Sequence, residues 1–190
     1  DPALNSWLML MSSSVIATGR GSSMEAIGTN IYLMSTLSGS TTLTRYNTLT
    51  NTTTNLASMA AGTPSESYAG SGNALVYPGS GDYLYAFKGY ITGNNRTNRQ
   101  FWRYSITGNT WTQIADTPQD MDGGAGLTVL PSDPNNIYAI AGGRNKGIWR
   151  YNITGNSWSN TQTDGSTVMA QLPDEVLGGA DIENDGTYLY

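Results

Sequence analysis

Phe101-Trp102-Arg103-Tyr104-Ser105-Ile106-Thr107-Gly108-Asn109-Thr110-Trp111 is answered 47 residues later by Ile148-Trp149-Arg150-Tyr151-Asn152-Ile153-Thr154-Gly155-Asn156-Ser157-Trp158. A repeat this clear decides the architecture before any single element does. A fainter copy runs through Thr44-Arg45-Tyr46-Asn47 and has Thr53 where the others have Trp, and Asn5-Ser6-Trp7 matches the tail Asn156-Ser157-Trp158. The Trp-equivalent positions are therefore 7, 53, 111 and 158.

A second set of matches precedes each copy. Gly124 to Val129, a turn over Pro131 to Asn136 and then Ile137 to Gly143 follow the same order as Gly72 to Tyr77, Pro78 to Asp82 and Tyr83 to Gly89. The order recurs from Met24 to Met34 and again from Gly178 to Tyr190. Short runs of β-branched and aromatic residues bounded by Gly, Pro, Asn and Asp are strand and hairpin signals, so each unit reads as four strands. No window shows apolar residues at helical spacing. The fold class expected is all-β, built of four-stranded antiparallel blades, because a period of about 45 to 50 residues with four strands is that of a propeller blade.

The chain resembles the kelch repeat, in which a Gly-Gly ends the second strand, a Tyr sits on the third and a Trp follows seven residues later. Gly142-Gly143, Tyr151 and Trp158 match that pattern in one unit, and Tyr104, Trp111, Ile114 and Thr117-Pro118 match it in another. The first unit departs from it: Gly-Gly is missing, Thr53 replaces Trp, and Leu56 and Met59 keep only the apolar spacing. The resemblance implies one propeller segment over 1–190, with complete blades at 24–59, 72–118 and 124–162. Residues 5–10 would be the last strand of a preceding blade, and 178–190 the first strands of a following one. Three blades are too few to close a propeller, so the chain is expected to be an interior piece of a longer polypeptide. The family includes protein-binding adaptors, extracellular binding domains and sugar-acting enzymes, so fold alone does not choose a function.

Composition removes several functions. The 190 residues contain no Cys and no His, which excludes thiolate or imidazole metal sites, disulfides and His-dependent nucleophilic catalysis within them. Only 12% of residues are charged, the net charge is −5 and just nine residues are Lys or Arg. That balance disfavours nucleic acid, whose backbone is bound by cationic side chains. The apolar run Trp7 to Met11 is far short of the roughly 20 residues that span a bilayer, so no transmembrane segment is expected. Few charges and many Ser, Thr and Asn, with glycosylation-type triplets at Asn51, Asn95 and Asn152, fit an extracellular or cell-surface protein.

The repeat residues Tyr104, Trp111, Gly142, Gly143, Tyr151 and Trp158 are read as scaffold: rings fill the gap between neighbouring blades, and the glycines permit a close approach or a positive φ. Arg45, Arg103 and Arg150, each directly before a Tyr, are expected to form hydrogen bonds between blades. Binding is expected of the loops. Glu66, Asp120, Asp122, Asp174 and Glu175 stand in corresponding loops between blades, where carboxylates suit a cation, an amine or sugar hydroxyls. An insertion before Tyr104 carries Tyr90, Arg96 and Arg99, an interface-type mixture. Asp181, Glu183 and Asp185 have the alternating spacing of a calcium loop, but the repeat places them at a hairpin turn, so no cofactor is expected and calcium is the one alternative. The function expected is a non-enzymatic module that binds a protein or glycan on a cell surface or within an assembly. Its rival is part of a carbohydrate-active enzyme whose catalytic groups lie partly outside the chain. Asp120 and Asp122 are then the acid/base pair to test.

Overall fold

The computed structural model describes residues 21–35, 41–59, 72–89, 98–160 and 171–190. Glu66, Tyr90, Asn95 and Arg96, and the proposed strand at 5–10, lie outside the described residues. Among the described residues there is no helix, and the fold is all-β. β1 (Ser23–Ile27), β2 (Asn30–Ser35), β3 (Thr42–Asn47) and β4 (Thr52–Asn55) form one antiparallel sheet. β5 (Ala74–Val76), β6 (Tyr83–Phe87), β7 (Phe101–Ser105) and β8 (Thr110–Gln113) form a second, and β9 (Gly126–Val129), β10 (Asn136–Ile140), β11 (Ile148–Asn152) and β12 (Ser157–Asn160) a third. Each sheet is a simple meander whose strands pair in sequence order. No helix among the described residues is long and apolar enough to cross a membrane.

The register fixes which residues correspond. Tyr46 faces Ile31, Tyr104 faces Leu84 and Tyr151 faces Ile137, while Tyr46, Tyr104 and Tyr151 pair on their other side with Thr53, Trp111 and Trp158. Successive side chains of a strand point to opposite faces, so each sheet offers one apolar set to the sheet before it and another to the sheet after it. In the second sheet Leu75, Leu84, Ala86, Trp102 and Tyr104 join Tyr32, Met34 and Leu43 of the first in one core. Its alternate residues Ala74, Val76, Tyr85, Phe87 and Phe101 join Ile137, Ala139, Trp149 and Tyr151 of the third in another. A smaller core joins Tyr138 and Ile140 of the third sheet to Val176 and Ile182. The first strands adjoin, β1 beside β5 and β5 beside β9. Repeated four-stranded sheets stacked face to face, with their first strands neighbours, fit a propeller.

Residues 178–190 contain no named strand. They close a tight hairpin in which Glu183 and Tyr190 exchange backbone hydrogen bonds of 3.1 and 2.9 Å, and Asn184 bridges Leu189. Asp185 holds the turn: its carboxylate accepts from the N–H groups of Thr187 and Tyr188 and from the Tyr190 hydroxyl at 2.8 Å. The same staple closes the β9–β10 turn, where the Tyr138 hydroxyl donates to Asp133 at 2.6 Å.

Candidate functional site

A meander puts its connections alternately at the two ends of the strands. The β1–β2 and β3–β4 turns and their counterparts lie at one end, called here the hairpin end. The β2–β3 connections and the segments between sheets lie at the other, the loop end.

The hairpin end is occupied with its own hydrogen bonds. The Asp82 carboxylate accepts from the Ser105 hydroxyl and from both the N–H and hydroxyl of Thr107, and the Ser105 hydroxyl above all holds it below the usual carboxylate range. Asn135 takes the same part toward Thr154 in the third sheet. The Asn152 amide is similarly engaged, accepting from the Gly155 N–H and donating to Asn136. Asn51, the other triplet asparagine among the described residues, sits exposed in the β3–β4 turn and accepts from the Tyr46 hydroxyl.

The repeat residues form a grip between sheets. Trp111 Nε1 donates 2.8 Å to the carbonyl of Ala57 in the preceding sheet's trailing segment, and Asn109 Oδ1 accepts the Ala57 N–H at 2.8 Å. The Tyr104 hydroxyl donates to the same Asn109 oxygen, fixing it. The third sheet repeats this: Trp158 holds the carbonyl of Ala115, Asn156 holds its N–H, and the Tyr151 hydroxyl donates to Asn156. Both asparagines have positive φ, 50° and 46°, a conformation Asn tolerates better than most residues. Burial pushes the Tyr104 and Tyr151 hydroxyls up to about 12, so both remain proton donors at any physiological pH. The Trp spacing was visible in the sequence; the asparagine between Tyr and Trp was visible as a repeat letter without its role.

Gly142 and Gly143 sit where the third sheet meets the segment between sheets. A Cβ on Gly142 would lie 2.4 Å from the Gly123 carbonyl, and one on Gly143 would lie 2.8 Å from the Asp122 Cβ; both have positive φ. Arg103 has a ring partner in its own sheet that the repeat did not indicate. Its guanidinium lies over the ring of Tyr83 in its own sheet, 4.6 Å from the centroid, and its Nε has no hydrogen-bond partner among the described residues. It stands opposite Tyr85 on the neighbouring strand, and its charge also acts on Tyr151 of the third sheet, as that of Arg45 acts on Tyr104 of the second.

At the loop end the structure brings together side chains from several connections. Arg99 and Asp120 form an exposed ion pair at 3.0 Å, which joins the insertion to the segment after β8. In the third sheet Lys146 takes the position of Arg99 and donates 2.7 Å to the Pro173 carbonyl. Asn145 donates to Gln119 of the neighbouring segment. Asp174 and Glu175 are exposed beside Pro173. Asp122 is engaged differently from Asp120: its N–H donates to the Ala141 carbonyl and its carboxylate accepts the Gly123 N–H, so it joins the second sheet's trailing segment to the third sheet.

Sequence reasoning did not single out the cleft along the first strands. It is an open cleft of about 710 Å³ bordered by β1, β5, β9 and the segment 178–184, and no Lys or Arg lines it among the described residues. Glu25, half-buried on β1, stands at the register position of Val76 and Thr128. Burial pushes its carboxyl up to about 7, with a smaller push from Glu183, against hydrogen bonds from the Tyr77 and Ala26 amides. Asp181 and Glu183 line the same cleft, but no three carboxylates among the described residues converge as a metal cluster, and Asp185 is spent on its turn.

Compared with models of known protein families and with curated proteins, the chain matches none.

Proposed function

We propose that the chain is a kelch-like β-propeller segment that acts outside the cytoplasm as a non-enzymatic binding or assembly module for a protein or glycan. The observation that carries the reading is the division of labour between residues. Every repeat residue of the grip is spent joining sheets, whereas Arg99, Asp120, Lys146, Asp174 and Glu175, drawn from different connections, gather at one end of the strands. Loops held on a rigid β scaffold are where recognition residues concentrate. The kelch assignment rests on the Gly-Gly, Tyr and Trp spacing together with three meanders of matching register. The extracytoplasmic assignment rests on composition. A partner survey by cross-linking on the intact protein, followed by the Arg99→Ala/Asp120→Ala pair, tests the reading. Loss of capture with unchanged unfolding supports it; failure to capture any protein or glycan counts against it.

A second reading, part of a carbohydrate-active enzyme, is favoured by Glu25. A half-buried carboxyl near 7 in a cleft is suited to general-acid work at neutral pH. Turnover of a glycoside lost in Glu25→Gln and kept in Asp120→Asn would move the account to this reading.

A further inference from the structure

The same hairpin asparagine recurs in the three sheets with different neighbours. Asn51, Asn109 and Asn156 each accept from the hydroxyl of the Tyr five residues earlier, at 2.9, 2.8 and 2.8 Å, and have φ of 54°, 50° and 46°. Two residues on, the second and third sheets have Trp111 and Trp158 and the first has Thr53. A Ser or Thr hydroxyl at that position completes the acceptor triplet of N-glycosylation, and an indole does not. The exchange that costs the first sheet its Trp therefore makes Asn51-Thr52-Thr53 such a triplet. Its surroundings differ from those of the other triplet among the described residues. Asn51 is exposed, and its bond from Tyr46 uses Oδ1, the atom that glycosylation leaves in place. Asn152 is half-buried: its Nδ2 donates 3.2 Å to Asn136, its Oδ1 accepts the Gly155 N–H, and the Thr154 hydroxyl is taken by Asn135 at 2.7 Å. Leu49, 78% exposed, shares the Asn51 turn at a position that is Thr107 and Thr154 in the other sheets. The turn thus presents an apolar tip that an attached sugar covers.

We propose that Asn51 carries an N-linked glycan and that Asn152 does not. The proposal rests on the extracytoplasmic part of the reading above and not on its binding part. The donor is an oligosaccharide carried on a polyprenyl diphosphate. Asn51 Nδ2 forms a bond to the anomeric carbon, the bond from that carbon to the diphosphate breaks, polyprenyl diphosphate leaves, and one amide proton passes to a base of the transferase. Addition to the unfolded chain precedes folding, so the fold acts as the filter. A sugar on Asn152 lands where its Nδ2 meets Asn136 across β10 and β11, whereas one on Asn51 stays in solvent. The glycan marks the hairpin end of the first sheet as a solvent face, which leaves the loop end for partners.

The test is to send the intact protein through the secretory route of an animal-cell line behind a cleavable leader and to map its folded, soluble fraction peptide by peptide by mass spectrometry. The expected result is a glycan on Asn51 and none on Asn152. Asn51→Gln and Thr53→Ala should each remove the glycan, Thr53→Ser should retain it, and Thr53→Trp, which restores the repeat residue, should abolish it. A bare Asn51, a glycan on Asn152, or a modification of Asn51 that survives Thr53→Ala overturns the proposal. Because the leader fixes the route, a bare Asn51 there tells against the site and not against the extracytoplasmic reading. Fractionation of the source cells tests that reading separately: native protein recovered from the cytoplasm overturns it, and the natural glycan with it, whatever the secreted chain carries.

Discussion

Trp158 Nε1 lies 2.9 Å from the carbonyl oxygen of Ala115, a residue of the segment that trails the preceding sheet, while Asn156 on the same hairpin takes the Ala115 N–H. Both backbone groups of one residue are therefore held by the following sheet. Ala115 is half-buried, so its peptide groups are satisfied by the neighbouring sheet and the grip ties local backbone satisfaction to sheet stacking. The neighbouring rings of Phe87, Phe101 and Tyr151 around Trp158, together with this bond, give it a packing role.

The rings differ in surroundings, and stability should follow. Trp158 packs near Phe87, Phe101, Trp149 and Tyr151, whereas among the described residues the aromatic ring near Trp111 is that of Tyr104. Trp158→Ala should cost about 3–5 kcal/mol in urea unfolding, and Trp111→Ala should cost less. Trp158→Phe keeps most of the packing and should lose about 0.5–1.5 kcal/mol with the bond to the half-buried Ala115 carbonyl. Equal costs for the two Ala variants would show that ring packing does not set the joint.

Glycine positions of similar φ should separate by their surroundings. Gly142 and Gly79 both have positive φ, but a Cβ at 142 meets the Gly123 carbonyl whereas one at 79 meets nothing within 4 Å. Gly79→Ala should cost only the backbone conformation, about 1–2 kcal/mol, and Gly142→Ala clearly more. Thermal unfolding of the two variants measures the difference directly.

The pH profile has two parts with opposite signs. Glu25 holds its proton more tightly in the folded chain, so its protonated form contributes stability that is full below about 4.5 and is lost as pH rises through about 7. Asp82, Asp133 and Asp185 are held below the usual range by hydrogen bonds, so their contribution is present above about 4 and is lost on acidification. Glu25→Gln should flatten the fall in unfolding midpoint between pH 5 and 7 and leave the acid limb in place. An unchanged slope in that variant would place the titrating group elsewhere.

The first sheet supplies an internal comparison, because Thr53 buries far less area than Trp at the same register position. Amide hydrogen exchange should be faster in β3 and β4 than in β7, β8, β11 and β12. Equal protection would mean that the Trp positions do not govern sheet stability.

The sequence made the strands legible because Tyr and Trp recur at a fixed interval and turn residues bracket each run. The hairpin at Asp185 read correctly as a turn for the same reason: Asp and Gly fit a tight reversal whatever lies around them. What was not legible depended on how one sheet meets the next. Asn109 and Asn156 act on backbone groups more than forty residues away, and nothing local marks that reach. Arg103 repeats at one position, which suggested contact between blades; its charge does act on Tyr151 of the next sheet, but the ring of Tyr83 beneath its guanidinium carried no repeat signal. Glu25 looks like an ordinary surface acid on a strand of alternating pattern until the neighbouring sheet half-buries it in the cleft. Asp120 and Asp122, two residues apart, were treated alike, but one is exposed and paired with Arg99 while the other joins two sheets.

The claim at the centre of the account is that recognition occurs at the loop end and the hairpin end is scaffold. A photo-cross-linking residue placed at Asp174 or Asp120, and in parallel at Thr154 or Thr107, in the intact protein on its native surface tests it most directly. The account predicts capture of a protein or glycan partner from the two loop-end positions and none from the hairpin-end positions. Capture from Thr107 or Thr154 with none from Asp120 or Asp174 would contradict it.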